Sequence, residues 1–172
     1  IRSASASLPP DIYTNLRERF GVPICEAFGM TEALSHCFTN PLHGEQRLGT
    51  VGMPSGIEAK IQHNRLMIKG PCVCYNDWFD TGDLAEQDEA GYYKILGRSK
   101  DQINIKGVKL NPLSLEKQLL ETIPGLTECA IFGEDRVKCI FVGNCDKDAI
   151  VNFLLTLGSH CRPALLECVD SI

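Results

Sequence analysis

The sequence lacks the features that mark membrane-spanning, nucleic-acid-binding and secreted proteins. No apolar run in its 172 residues approaches the roughly 18 residues that a membrane helix needs. The first residues, IRSASASLPP, contain no apolar stretch of a secretory signal. Basic residues number 17 against 22 acidic ones, a net charge of −5, whereas nucleic acids and anionic membranes attract clustered positive charge. The composition therefore favours a cytoplasmic globular protein with no membrane span and no nucleic-acid partner.

The cysteine content excludes a disulfide scaffold. Nine cysteines are about 5% of the chain, which is short of the content of a disulfide scaffold, and their number is odd. Most of them stand inside apolar runs, which is typical of buried free thiols in a reducing compartment. The alternative is a zinc site with Cys72 and Cys74 as its best pair. Because this C-x-C spacing has no second pair and no nearby C-x-x-H, we expect free thiols.

The character of the sequence changes near residue 97, which predicts two parts, residues 1–96 and 97–172. The first part begins with an amphipathic helix that Asp11 caps and Gly21 ends. A buried strand, VPICEAF, then runs into a turn at Gly29. Short β-like runs separated by turn residues follow, a pattern typical of a small antiparallel sheet or barrel. The residues expected on the buried side of the helix are Ile12, Leu16 and Phe20.

The second part has the pattern of a compact α+β domain. It starts with a strand, INIKGVKL, and a helix that Asn111 caps and Pro112 opens. Two strands, ECAIFG and VKCIFVG, a helix over residues 146–157 and a last strand, LLECVD, complete it. The expected fold class is therefore α/β with a small barrel-like antiparallel subdomain, followed by α+β.

Three motifs carry the functional signal. They are FGMTE at residues 28–32, DWFDTGDL at 77–84 and GRSKDQINIKGVKLNP at 97–112. In this order and at these separations they resemble the adenylate-forming superfamily of acyl-CoA synthetases, luciferases and peptide-synthetase adenylation domains. The resemblance covers nearly the whole chain. It implies that residues 1–96 are the distal part of the large AMP-binding domain and that residues 97–172 are the small mobile C-terminal domain.

The resemblance implies ATP, Mg²⁺ and CoA as cofactors and a fatty or other organic acid as substrate. A carboxylate attacks the α-phosphorus of ATP, and a thiol then displaces AMP from the acyl adenylate. One alternative is an adenylation domain that loads the thiol of a carrier protein. Another is a non-catalytic module that binds a nucleotide or CoA, and a structural interaction domain with accidental motifs is the least favoured.

By the resemblance, the first motif binds the nucleotide and the metal. Phe28 stands where the family usually has tyrosine and offers an aromatic ring near adenine, next to Gly29. Thr31 hydrogen-bonds a phosphate oxygen, and Glu32 is the magnesium ligand. Without the match to the three family motifs, Thr31 and Glu32 would be ordinary residues at the start of a surface helix. We expect His36 to be a structural hydrogen-bonding residue.

The second motif supplies the ribose ligand by resemblance. One carboxylate, that of Asp83, can accept hydrogen bonds from both ribose hydroxyls. The alternative is a turn that Asp83 stabilises near Gly82. Asp77 and Asp80 do not match the ligand of the family, and we expect both to be solvated loop residues.

In the third motif, Arg98 takes the place of a ligand to ribose or phosphate oxygens. Lys100 takes the place of the hinge about which the small domain turns, although RSKD is equally typical of a charged surface turn. Gly107 corresponds to the loop that faces the thiol channel. Asn104 and Lys106 border this loop, and neither is assigned a catalytic role.

Two lysine motifs of the family are absent from the sequence. It contains no Ser/Thr/Gly-rich phosphate loop followed by lysine, and no Gly-Lys dipeptide to supply the catalytic lysine. We therefore expect this chain to be part of a longer ligase and to be inactive alone. The connection over residues 70–83 is also shorter than in the family, so its conformation is the least predictable part of the site.

Overall fold

The structure, a computed structural model, describes residues 1–6 and 8–172. They form two compact units, residues 1–95 and 96–172, and each unit has its own apolar core. The mixture of helices and sheets agrees with the expected mixed α/β content. Within the described ranges, no helix combines the length and apolar character required to cross a bilayer.

The described residues of the first unit form one helix and two four-stranded sheets. In the first sheet, of order β1-β2-β3-β4, β1 is parallel to β2 and the other pairs are antiparallel. In the second sheet, of order β5-β6-β7-β8, β6 is antiparallel to β5 and to β7. The elements are β1 (Arg2–Ser3), α1 (Pro10–Phe20), β2 (Cys25–Met30), β3 (Ser35–Thr39), β4 (Met53–Pro54), β5 (Glu58–Gln62), β6 (Arg65–Lys69), β7 (Phe79–Gln87) and β8 (Tyr93–Arg98).

The ends of α1 follow local backbone chemistry. The prediction that Gly21 ends the helix is confirmed, since its φ is 62° and its N–H donates to the carbonyl of Arg17 at 2.9 Å. The predicted cap was wrong, because Pro9 is the cap residue and Asp11 lies inside the first turn. There its negative charge still faces the positive end of the helix dipole.

The predicted buried side of α1 was also wrong. Tyr13 is the buried residue, whereas Ile12 and Phe20 are 43% and 53% exposed. The hydroxyl of Tyr13 donates to the side-chain oxygen of Gln46 at 3.4 Å. A tyrosine buries a large ring when its hydroxyl finds a partner, and a count of aliphatic residues every four positions does not register this.

The core of the first unit is built around two aromatic rings. Phe38 and Tyr93 are fully buried and meet edge to face, with ring centroids 5.0 Å apart. The Tyr93 hydroxyl donates to the carbonyl of Ala59, so its polar atom is satisfied. Removing each such side chain from water contributes roughly 1.5–3 kcal/mol. The other buried members are Ala33, Cys37, Leu66, Ile68, Val73 and Ala85.

The predicted β-like runs are confirmed as β5, β6 and β8, but β7 was not predicted as a strand and no barrel forms. Among the described residues, the β5–β8 sheet is an open sheet of four strands. Alternation of apolar and turn residues specifies strands and reversals. It does not specify the strand number and stagger that closure requires.

The described residues of the second unit combine two helices with a hairpin and a three-stranded sheet. The sheet has the order β11-β12-β13, with an antiparallel first pair and a parallel second pair. Its core includes Leu119, Phe141 and Ile150. The elements are β9 (Ile103–Ile105), β10 (Val108–Leu110), α2 (Pro112–Thr122), β11 (Leu126–Phe132), β12 (Lys138–Gly143), α3 (Lys147–Thr156) and β13 (Leu165–Cys168).

The single strand predicted for INIKGVKL is a hairpin. Its two-residue turn, Lys106 and Gly107, has φ values of 50° and 87°. Two successive positive φ angles match the twist of paired strands, as in a type I′ turn. Lysine at the first position hid this turn, since asparagine or glycine is the usual signal there.

Asn111 is the cap residue of α2 and Pro112 its first residue, as predicted, whereas no cap was predicted for α3, where Asp146 takes that place. The Asp146 carboxylate accepts the N–H of Asp148 at 2.9 Å. At α2, Asn111 is the cap residue but makes no side-chain cap bond, and its amide donates to the carbonyl of Leu96 at 2.8 Å.

All nine cysteines are free thiols, and they differ in burial. Cys74 and Cys168 are exposed. Burial raises the pKa of Cys37 and of Cys139 to about 11, and that of Cys129 to about 12. Since the thiolate is the reactive form, only about one in 1,000 molecules carries a thiolate at pH 8 when the pKa is 11.

We predict that iodoacetamide at pH 8 alkylates Cys74 and Cys168 long before Cys37, Cys129 and Cys139, as followed by peptide mass spectrometry. Each unit of pH below the raised pKa lowers the thiolate fraction tenfold, so lower pH protects the buried thiols further. In denaturant, the differences between sites should vanish. Equal labelling of Cys37 and Cys74 in the folded protein would contradict the structure.

Candidate functional site

The first motif lies where β2 ends and a 3₁₀ turn, Thr31–Ala33, begins. Phe28 is half-buried, and its ring meets the edge of Phe38 with centroids 5.9 Å apart. Ala33 is buried in the core, whereas Thr31 and Glu32 are exposed. The backbone of the motif is thus anchored on both sides of two polar side chains that face solvent.

Gly29 lies inside the paired strand rather than in the predicted turn. It pairs with His36 beside a bulge, and a Cβ at this position would lie 1.9 Å from the carbonyl oxygen of Ser35. Only glycine allows the two backbones to approach this closely. The pairing of β2 with β3 therefore requires this glycine, whatever else it contacts.

The segment after the 3₁₀ turn has an unusual backbone. Leu34 and Ser35 have φ values of 56° and 132°, and the Leu34 side chain is 70% exposed. Side chains at positive φ are strained, and such residues often adjoin functional sites. His36 is exposed, and its Nδ1 lies 3.1 Å from the Ser35 hydroxyl, so it forms the local polar contact expected of it.

The Glu32 carboxylate is available to a cation. Across residues 1–6 and 8–172, no ion pair includes it. The Glu32 carbonyl accepts the N–H of Cys74 at 2.8 Å, which fixes the backbone beneath the side chain. No group of three or more His, Cys, Asp or Glu side chains that could hold a metal occurs in the described part. One exposed carboxylate suits Mg²⁺, which takes one or two protein carboxylates and completes its shell with phosphates and water.

In the second motif, Asp83 lies in β7 and is 2% exposed. Its N–H donates to the hydroxyl of Thr81 at 3.1 Å. That hydroxyl in turn donates to the carbonyl of Leu66 on β6, also at 3.1 Å. The buried threonine thus ties the backbone at Asp83 to the neighbouring strand.

The expectation that Asp80 is a solvated loop residue was wrong. It lies in β7, and its Oδ1 accepts the N–H of Gly82 at 2.9 Å, whose φ is 77°. Its other oxygen lies 2.8 Å from Nη2 of Arg65. Asp80 therefore makes the turn that the sequence suggested for Asp83. Asp77 is a highly exposed loop residue, as expected, 3.4 Å from the ammonium of Lys69.

A buried cysteine lies between the first two motifs. Cys37 is on β3, next to the Phe38 that contacts Phe28. The pKa of Cys37 is raised to about 11, mainly by burial. The nearby Cys72 thiol and Asp83 carboxylate raise it further. Phe38, which contacts the first motif, and Cys37, which lies near the Asp83 carboxylate of the second, are thus neighbours in β3. The fold brings these two motifs to one core.

The first unit also has a surface cavity of about 450 Å³. Its lining comprises Arg17, Gly21, Val22, Pro23, Leu42, Gly44 and Gln46. None of the residues that the sequence assigned to a nucleotide is among them.

The third motif belongs to the second unit. Arg98 ends β8 and is exposed, and Lys100 is exposed in a 3₁₀ turn, Ser99–Asp101. A surface cavity of about 550 Å³ adjoins both, with Leu113, Glu116 and Phe132 in its lining.

Two side chains fix the backbone around this cavity. The amide of Asn111 reaches the Leu96 carbonyl, and its oxygen would lie 3.0 Å from a Cβ at Gly97. Glu116 accepts the N–H of Ile131 at 2.7 Å, and burial raises the pKa of this carboxyl group. Gly107 is exposed at the hairpin tip, with its N–H donated to the side-chain oxygen of Asn104 at 3.2 Å.

Residues 1–72 match the family model described as AMP-binding enzyme. This chain belongs to the AMP-binding, adenylate-forming family. The match covers the first motif, and curated relatives are similar over as much as 90% of the chain.

Two curated relatives are CoA ligases by name. A sulfoacetate–CoA ligase from Cupriavidus necator is 33% identical over 77% of this chain and 31% of its own length. An oxalate–CoA ligase from Arabidopsis thaliana is 36% identical over 77% of this chain and 31% of its own length. The crystal structure of ATP-bound MatB from Rhodopseudomonas palustris is 26% identical, with a TM-score of 0.84 over 99% of this chain and 41% of that one. The chain thus spans about a third of the length of these curated relatives.

The sequence analysis gave Arg65 no role and placed Asp80 in a solvated loop, so it missed the pair that these two residues form. The signal was present in the spacing Asp80-Thr81-Gly82, since aspartate two residues before glycine is typical of a side-chain turn. Arg65 gave no local signal, because only strand pairing brings it to Asp80.

We predict that Gly29→Ala lowers the free energy of unfolding by about 2 kcal/mol or more, because the new Cβ would overlap the backbone of Ser35. Urea denaturation measures the change. Gly44→Ala is the matched control, since its Cβ would meet only the Pro41 side chain, at 3.3 Å. If the two variants unfold at the same urea concentration, the close pairing of β2 and β3 at Gly29 is refuted.

Proposed function

We propose that this chain supplies nucleotide-binding and acyl-transfer elements of an ATP-dependent carboxylate–CoA ligase. In this proposal residues 1–96 are the distal part of the AMP-binding domain, and residues 97–172 are the small mobile domain. The observation that carries the proposal is the convergence of the Phe28–Glu32 segment and Asp83 on one core, through Cys37 and Phe38. The CoA-ligase names of two relatives favour CoA over a carrier-protein thiol as acceptor.

The nucleotide roles are divided among five residues. Phe28 offers the exposed part of its ring to adenine, and Asp83 accepts hydrogen bonds from the ribose hydroxyls. Gly29 and Thr31 border the phosphates, where the threonine hydroxyl donates to an oxygen. Arg98 adds donors for ribose or phosphate oxygens.

Glu32 is the residue that would hold Mg²⁺. When bound, the ion neutralises phosphate charge that would otherwise repel the attacking carboxylate. The exposed and unpaired side chain on a fixed backbone suits this role. The protein contributes position and charge rather than a covalent step at this point.

The second unit serves the transfer step in this proposal. Lys100, exposed in its short turn, is the hinge, and a hinge residue needs backbone freedom without buried contacts. Gly107, exposed at the tip of its hairpin, faces the thiol channel, where the missing side chain leaves room for a pantetheine chain. The sequence holds neither lysine motif, so we propose that the 172-residue chain alone binds nucleotide weakly and is catalytically silent.

We predict that Asp83→Asn weakens AMP binding by about tenfold or more, because a charged acceptor is replaced by a neutral one. Shifts of backbone amide resonances during titration with AMP measure the affinity. Asp77→Asn, which removes an exposed charge outside the site, should bind as the unsubstituted chain does. If the chain binds no AMP, or if Asp83→Asn binds it equally well, the proposed function is wrong.

We predict that Glu32→Gln removes the increase in ATP affinity that Mg²⁺ provides, because an amide is a poor ligand for this ion. The affinity for AMP without metal should change little. Paired titrations of ATP with and without Mg²⁺, for the chain and the variant, give the two ratios. A Mg²⁺ effect of unchanged size in the variant would exclude Glu32 as the ligand.

A further inference from the structure

We propose that Asp80 and Arg65 are positioning residues that hold a β-bulge in the shape that presents Asp83. The inference rests on the proposed role of Asp83 as the ribose ligand. It gives Asp80 and Arg65 a role, whereas the proposed function alone assigns none to either side chain.

The bulge lies between β6 and β7. Met67 is opposite Asp80, and Arg65 is opposite Leu84. One residue of β6, Leu66, therefore faces three residues of β7, namely Thr81, Gly82 and Asp83. Extra residues of this kind bend a strand and redirect a side chain, and bulges are frequent beside active sites.

The Asp80–Arg65 pair spans this bulge. Arg65 is opposite the residue that follows the bulge, whereas Asp80 precedes it. Oδ1 of Asp80 accepts both the N–H of Gly82, at 2.9 Å, and Nε of Arg65, at 3.2 Å. Oδ2 lies 2.8 Å from Nη2 of the same guanidinium. The planar guanidinium thus fixes the carboxylate in the orientation that bonds the bulge backbone.

The pair is better suited to fixing geometry than to stabilising the fold. Both side chains are more than a third exposed, so their mutual attraction adds little to the free energy of unfolding. Gly82, however, has a φ of 77°, and its N–H donates to the Asp80 carboxylate. The backbone at Gly82 determines where the next residue, Asp83, directs its carboxylate.

The test compares two substitutions at Asp80 by titration of the chain with AMP, followed by amide resonances. Asparagine keeps an oxygen that accepts the Gly82 N–H, whereas alanine removes it. We expect Asp80→Ala to weaken AMP binding about tenfold and Asp80→Asn to stay within about twofold of the unsubstituted chain. Asp77→Ala is the matched control, because it removes an ion-paired aspartate that does not touch the bulge.

Gly82 gives an independent second comparison. A Cβ there would meet nothing within 4 Å, so a substitution tests backbone conformation alone. Alanine resists positive φ, whereas asparagine tolerates it. We expect Gly82→Ala to weaken AMP binding as Asp80→Ala does, and Gly82→Asn to recover most of the loss.

The outcomes separate this inference from the proposed function. If Asp83→Asn weakens binding but Asp80→Ala does not, the positioning role is wrong and the ribose assignment stands. Equal losses in Asp80→Ala and Asp80→Asn would also overturn it, because charge rather than the turn bond would then matter. A loss of the same size in Asp77→Ala would overturn it too. If Asp83→Asn has no effect, the proposed function fails and this inference fails with it.

Discussion

The packing of Phe38 between Phe28 and Tyr93 is the constraint on which the candidate site depends. Phe38 is fully buried, and its ring meets both neighbours edge to face. These contacts join the strand of the first motif to the core that also contains residues of β6 and β7. Exposed polar residues such as Thr31 and Glu32 cannot hold a position by themselves. Their position depends on the packing of the buried Phe38 ring against Phe28, in the strand that precedes them.

The sequence was sufficient for most elements because their local signals agree. The helices near residues 10, 112 and 147 and the strands that begin at Glu58 and Arg65 all form. Each has matching periodicity and turn residues at its ends. The family was likewise accessible, since three motifs in register are far more specific than any one of them.

Three of the misses share one physical cause, which is that tertiary contacts decide what local patterns leave open. Tyr13 rather than Ile12 is buried because of a partner, Gln46, that is distant in sequence. Asp80 forms an ion pair with Arg65, which only the pairing of β6 and β7 brings near. The Asn111 side chain makes no cap bond to α2, and its amide instead donates to the carbonyl of Leu96. Pattern analysis considers each residue only with its neighbours along the chain, whereas the partners of these three residues are distant in sequence.

The first two motifs each combine a functional candidate with a residue at positive φ and a group that holds the backbone there. Leu34, with φ of 56°, follows Glu32, and the buried Ala33 lies between them. Gly82, with φ of 77°, precedes Asp83, and its N–H is bonded to Asp80. A folded chain retains such conformations only where the surroundings overdetermine them. Leu34 therefore keeps an unfavourable φ beside the buried Ala33, whereas Gly82 adopts its positive φ without strain and depends on the Asp80 carboxylate to select that conformation before Asp83.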